Sequence, residues 1–232
     1  MSATRALDAA NARAMLYQNI RAFFLSQQAP EVIGSSFPLN INIDQTSVFQ
    51  ISQQSRDEAI DRRHVAEFSV LQWVQRDWSK AQVLLDVDSF LQAIFAGEFE
   101  PERRTFRQAF IQRLGFDPDA LTAVELRQEA RRLGLNVSLG DDSLAWLKHM
   151  FVHFIEPTLG IDVPLYLTDL PDQWRDPDDD GKPVKSTTDV FIDGIKVGSV
   201  LSQHQQFNVV FGLDRLLMII LETRQIAKVF SM

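Results

Sequence analysis

The sequence predicts an α+β fold, an antiparallel sheet flanked by helices, in a single domain covering residues 1–232. Two stretches of near-alternating polarity, 47–54 and 66–74, stand on either side of a highly charged segment. That pattern is two antiparallel strands joined by a long polar loop. A helical insertion over about 79–157 follows, strand texture returns beyond Pro157, and a strongly apolar helix closes the chain.

Each element has its own signal. Met15, Leu16, Ile20, Phe23 and Phe24 recur at roughly helical spacing, so an amphipathic helix opens the fold and ends before Pro30. Residues 31–43 carry Gly34, Pro38 and short apolar pieces, which suits a turn and an irregular strand. Helices are expected over 80–95, 104–113, 122–133 and 141–155. Thr122 with Glu125 forms a capping box, and Asp141 with Asp142 places acids where the helix dipole favours them. Later strands are expected at 164–168, 188–192, 195–201 and 207–211, and the last helix at 212–221.

Composition narrows the function. A chain of 232 residues, 45% hydrophobic, is long enough for one substantial core. A formal charge of -8 supplies no overall positive field for a polyanion, so tRNA is not expected as a partner. The chain has no cysteine, which excludes disulfides and thiolate metal sites. Nothing near its start resembles a signal peptide, and no run approaches eighteen apolar residues. A soluble, cytoplasmic protein without a membrane segment is the expectation.

The charged loop and its flanking strands contain Ser55-Arg56-Asp57-Glu58 and, further on, His64-Val-Ala-Glu67-Phe68. This resembles motif 2 of class II aminoacyl-tRNA synthetases: an Arg, one residue, a Glu, a variable loop, then His or Arg followed four residues later by Phe. Phe211-Gly212-Leu213-Asp214-Arg215-Leu216 is similar to motif 3, where an Arg follows an acid at the start of a helix. Between them, the segments beginning at Phe106, Glu125, Phe151 and Pro164 are similar, in order, to segments of lysyl-type members that modify elongation factor P. The resemblance implies a class II synthetase-like catalytic domain without an anticodon-binding domain.

The resemblance also implies chemistry. By position Arg56 would hold the α-phosphate of ATP, Phe68 would stack on adenine, Arg215 would meet the γ-phosphate, and Glu58, His64 and Asp214 would line the nucleotide. Arg56 and Arg215 are then the catalytic residues. Negative charge builds on phosphoryl oxygens when a carboxylate attacks the α-phosphorus, and fixed guanidinium forks stabilise it. Gln72, Val74 and Ser199 fall at substrate positions.

The chain also departs from that pattern. The segment that carries part of the relatives' amino-acid pocket shrinks to residues 39–45, and the motif 1 proline is replaced near Ser35, with Pro38 close by. Lys196 and Gln203 stand where the relatives carry carboxylates that hold a metal-ATP complex, so Mg²⁺ is doubtful and no metal ligand is assigned. Lys196 is instead a candidate to meet phosphate. Gln72 and Val74 replace the acid and tyrosine that recognise a lysine side chain, so lysine itself is not the expected substrate.

Two readings stand on the sequence. One is an AMP-forming, ATP-dependent amino-acid ligase that takes a small-molecule amino acid other than lysine, passes it to a protein or small-molecule acceptor, and works as a homodimer. The other is a catalytically inactive paralogue that acts as a binding or regulatory partner, with Arg56 and Arg215 in structural ion pairs to Glu58 and Asp214. Elsewhere, Asp176 to Gly181 reads as a solvated acidic turn rather than a calcium loop, since Thr187 stands where the closing Glu would be. His149 and His153 read as helix-packing or surface residues, and the four tryptophans as core and interface mass.

Overall fold

The computed structural model describes residues 3–33, 47–55, 66–171, 174, 185–203 and 206–230. Helix α1 (Ala3–Ser26) leads into strands β1 (Ser47–Ser55) and β2 (Glu67–Arg76). Helix α2 (Lys80–Phe95), strand β3 (Glu102–Thr105) and helices α3 (Phe106–Leu114), α4 (Ala123–Arg132) and α5 (Ser143–Met150) follow. Strands β4 (Leu165–Thr168), β5 (Lys185–Ile192), β6 (Ile195–Gln203) and β7 (Gln206–Gly212) then lead to α6 (Leu213–Ile220). The class is α+β, as expected.

The sheet order is β1-β2-β7-β6-β5-β4-β3. All neighbours run antiparallel except β3 and β4, which are parallel. The expectation of a wholly antiparallel sheet is thereby corrected. Strand β3 lies where a helix was expected to begin, and a local cap sets the boundary. Thr105 caps α3 by accepting from the Gln108 amide, and the Gln108 side chain accepts from the Thr105 amide in return. The helix therefore starts at Phe106, and Glu102 to Thr105 are left extended, with the Glu102 amide donating to the Pro164 carbonyl at the β4 edge.

Helix boundaries differ in two further places. The first helix reaches back to Ala3, and the expected helix over 141–155 is α-helical only to Met150, continuing as a π-turn over Phe151–Ile155. Asp142 caps α5 through the Leu144 and Ala145 amides. Thr122 and Glu125 make the predicted capping box, and the hydrogen bonds from Thr122 hold the Glu125 carboxyl below its usual range.

The sheet carries two cores on opposite faces. Alternation in β2 sends Leu71 and Trp73 to one side, where they meet Leu16, Ile20 and Phe24 of α1, Phe90 of α2, Phe211 of β7 and Leu217 of α6. The Phe24 and Phe49 rings stack at 4.3 Å and those of Trp73 and Phe211 at 5.7 Å. Helices α3, α4 and α5 instead pack with Leu165, Leu167 and Phe191 on the other side, at the β3–β4–β5 end. The segment 79–157 is therefore not one helical layer, because α2 belongs to the first core. Beyond the second core, the same face of β1, β2, β7 and β6 has no helix from the described residues packed across it.

The tip of the β5–β6 hairpin is docked to residues 157–160. The amide of Asp193 donates to the Gly160 carbonyl and that of Gly194 to the Leu159 carbonyl. Gly160 has φ +67°, and a Cβ there would lie 2.3 Å from the Phe191 carbonyl oxygen. Gly134 also has positive φ, +90°, but opens onto empty space. Gly160→Ala is therefore expected to cost about 2–3 kcal/mol in chemical denaturation, and Gly134→Ala about 1. Equal losses would show that the docking contributes nothing beyond backbone strain.

Candidate functional site

Five of the predicted site residues share the face of β1, β2, β7 and β6 opposite the first core. Phe68, Gln72 and Val74 alternate along β2 on this face, and Lys196 and Ser199 reach it from β6. Strand register sets a transverse row: Gln50 faces Gln72, Gln72 faces Val210, Val210 faces Ser199, and Ser199 faces Asp189. At strand spacing the row is roughly 19 Å long. Three of its members are polar groups removed from water, with Gln50, Gln72 and Asp189 between 1% and 5% exposed. Such burial of polar side chains on a sheet face is costly unless each meets a partner, so the row is a built feature rather than incidental surface.

A β-bulge aligns the polar end of this row. Ile192 pairs with Ile195 and Phe191 with Lys196, but Val190 pairs with Gly198, so Val197 is the extra residue. Val197 and Gly198 both turn to the first core, where the Phe211 ring lies 2.7 Å from the position a Gly198 Cβ would take. Glycine is therefore required at 198. The shift brings Ser199, instead of Gly198, opposite Asp189. Asp189 then accepts the Ser199 hydroxyl at 2.8 Å through one oxygen and the Lys196 ammonium at 2.7 Å through the other. Neither Asp189 nor Gln50 was among the residues predicted from sequence. An acid directly before the apolar run Val190-Phe191-Ile192 was the available signal.

At the neighbouring edge, β7 pairs with β2 until Gly212 meets Val70, so α6 begins beside Ser69. Asp214 is 1% exposed there. One of its oxygens accepts the Ser69 amide at 2.7 Å, and the other takes the Arg13 guanidinium at 2.9 Å. The suggested pairing of Asp214 with Arg215 is corrected: the carboxylate is held by α1 and β2, because its first-turn position points it back under the sheet edge. Arg215 donates from Nη1 to the Lys196 carbonyl at 2.9 Å, which ties the last helix to the strand that bears the lysine. Val74 is packed with Val48 and Val32 in a small apolar cluster. Arg56, Glu58 and His64 lie outside the described residues, as do Ser35, Pro38, the 176–181 turn and the side chain of Gln203.

The fit of a divalent cation can be judged from the donors present. A hard ion such as Mg²⁺ takes several oxygen ligands, anionic ones first. Here the carboxylate facing the row already accepts from an ammonium and a hydroxyl, and that ammonium would oppose a second cation. Among the described residues no group of three or more His, Asp or Glu side chains could hold a metal ion. The described residues of this cluster do not supply the set of anionic oxygens that Mg²⁺ takes. The His149 and His153 rings lie 4.2 Å apart, tilted by 41°, with Nδ1 of His153 against the His149 carbonyl, and burial followed by the neighbouring ring lowers the His149 pKa.

No protein-family model matches the chain. A similar protein of Pectobacterium atrosepticum is 29% identical over 126 residues, 53% of this chain and 38% of that protein. One from Photobacterium profundum is 32% identical over 127 residues, 53% of this chain and 39% of its own length. One from Klebsiella pneumoniae is 30% identical over 127 residues, with 53% and 38% covered. All three carry the name elongation factor P–(R)-β-lysine ligase. The chain is a sequence relative of these ligases. The matched region is about half of this chain and under two fifths of each ligase. No helix among the described residues is long and apolar enough to cross a membrane.

Proposed function

We propose that the chain is an ATP-dependent, AMP-forming amino-acid ligase with a class II synthetase-like arrangement, acting on an amino acid other than lysine. The observation that carries the reading is the convergence of Phe68, Gln72, Lys196 and Ser199 on one sheet face, with Arg215 bonded to the Lys196 backbone beside it. On this reading Phe68 stacks on adenine, and Arg215, with Arg56, Glu58 and His64 from the charged loop, engages the nucleotide. Asp214 serves it indirectly, by fixing the start of α6. Gln72 meets the substrate side chain, since a buried amide suits a neutral group and a buried ammonium there would lack a carboxylate. The acceptor is a protein or a small molecule rather than tRNA; the related ligases carry elongation factor P in their name. The protein works in the cytoplasm as a homodimer.

A second reading, an inactive paralogue that binds or regulates a partner, is favoured by one feature: Lys196, at a position expected to serve the nucleotide, is bonded to Asp189. Amino-acid-dependent exchange of pyrophosphate into ATP separates the two. Exchange is expected with a neutral amino acid and not with lysine, and Arg215→Ala is expected to weaken ATP binding by about tenfold or more. Absence of exchange across a broad panel, together with no heat of ATP binding, would leave only the inactive reading. Unchanged affinity in Arg215→Ala would remove the phosphate role from that residue.

A further inference from the structure

The Asp189–Lys196–Ser199 cluster lies on the candidate face, and its donors are wrong for a metal. We infer that this cluster is a metal-free phosphate subsite, in which the Lys196 ammonium takes an oxygen of the ATP phosphate chain directly; the inference rests on the nucleotide-dependent reading above.

Three observations carry it. First, an ammonium has three N–H donors, and the Asp189 bond at 2.7 Å uses one of them. The Lys196 side chain is 40% exposed while that of Asp189 is 7% exposed, so the lysine head reaches outward from a buried anchor. Second, Asp189 is itself fixed by the Ser199 hydroxyl and by the bulge that sets Ser199 opposite it. A lysine pinned in this way loses less rotamer freedom when an anion arrives than a lysine on open surface. Third, Arg215 donates to the Lys196 carbonyl, which brings a second cation to the same few residues. Phosphate is the anion that lysine and arginine hold best through charge-assisted hydrogen bonds. A divalent cation in the same place would meet the Lys196 ammonium as repulsion.

The experiment is calorimetric titration of the protein with ATP in excess EDTA and in excess MgCl₂. The wild-type affinity is expected to agree within about threefold between the two, and Lys196→Met to lose about tenfold or more in EDTA. Lys196→Arg, which keeps a cation on the same strand, is expected to retain EDTA binding; circular dichroism shows that each variant is folded. Lys196→Glu is expected to bind ATP only when Mg²⁺ is supplied. ATP binding that needs Mg²⁺ in the wild type, or that is unchanged in Lys196→Met, overturns the metal-free subsite and leaves the ligase reading standing. No ATP binding in either buffer overturns both.

Discussion

Asp214→Ala is expected to destabilise the protein by about 3–5 kcal/mol, one of the two largest losses among single substitutions at its polar sites. The carboxylate is buried and joins three elements: α6 through its own backbone, β2 through the Ser69 amide, and α1 through Arg13. Arg13 goes on to donate to the Val229 carbonyl and to lie over the Phe230 ring, so the same contact holds the C-terminal turn. Truncation strands the Ser69 amide, which sits in buried surroundings, and leaves a guanidinium without its carboxylate. Arg13→Met is expected to cost about 2 kcal/mol, because it leaves the buried carboxylate with one donor. The double variant is expected to fall short of the sum by about 1 kcal/mol or more, the mark of two residues sharing one interaction. Additive losses in urea denaturation would show that the pair is incidental. The consequence for function is geometric. Arg215 follows Asp214 on the same turn, so on the proposed ligase reading a loosened helix start should lower nucleotide affinity even in molecules that remain folded.

The first core was legible because one face of each long strand is buried. Phe49 and Ile51 in β1, and Leu71 and Trp73 in β2, alternate with residues of the opposite face. The Thr122–Glu125 capping box was equally readable, since its two members act within four residues of chain. Strand β3 was not. Glu-Arg-Arg-Thr has no apolar alternation, and it is extended because Pro164 and β4, some sixty residues away in sequence, supply its partners. Lys196 was found from the family resemblance, at a position where the relatives carry a carboxylate, but its bond to Asp189 depends on a one-residue register shift at Val197. Only Gly198 hints at that shift. Without the bulge Gly198 would oppose Asp189, and Ser199 would turn to the core. Gln72 was recognised as a candidate, whereas Gln50 became one only when the register set the two amides opposite each other.

Asp86→Ala is expected to cost a comparable 3–5 kcal/mol, for a different reason. Asp86 sits in the middle of α2 and is 6% exposed, turned toward the sheet among apolar residues. One oxygen accepts the Trp73 indole N–H at 2.9 Å and the Gln75 amide at 3.0 Å, and the other accepts the Gln27 amide at 2.9 Å. Gln75 in turn accepts the Ser47 hydroxyl, so one carboxylate joins the end of α1, α2, β2 and the start of β1. An isolated carboxylate at such depth would be prohibitive, and three converging donors are what make it tolerable. Removing it orphans two donors that water does not reach, those of Trp73 and Gln75, at about 1–3 kcal/mol each, while Gln27 at the exposed helix end finds water. Asp86→Asn keeps one acceptor oxygen and places an amide donor against other donors, so about 2 kcal/mol is expected. Trp73→Phe in the Asp86→Ala background should add less than it costs alone, because its N–H has already lost its partner. A loss under about 1 kcal/mol for Asp86→Ala would mean that the site relaxes to admit water. The placement explains why a polar hub belongs here. Gln72 and Val74 alternate with Trp73 and Gln75 along β2, so the hub fixes from beneath the strand that carries Phe68 and Gln72 across the candidate site.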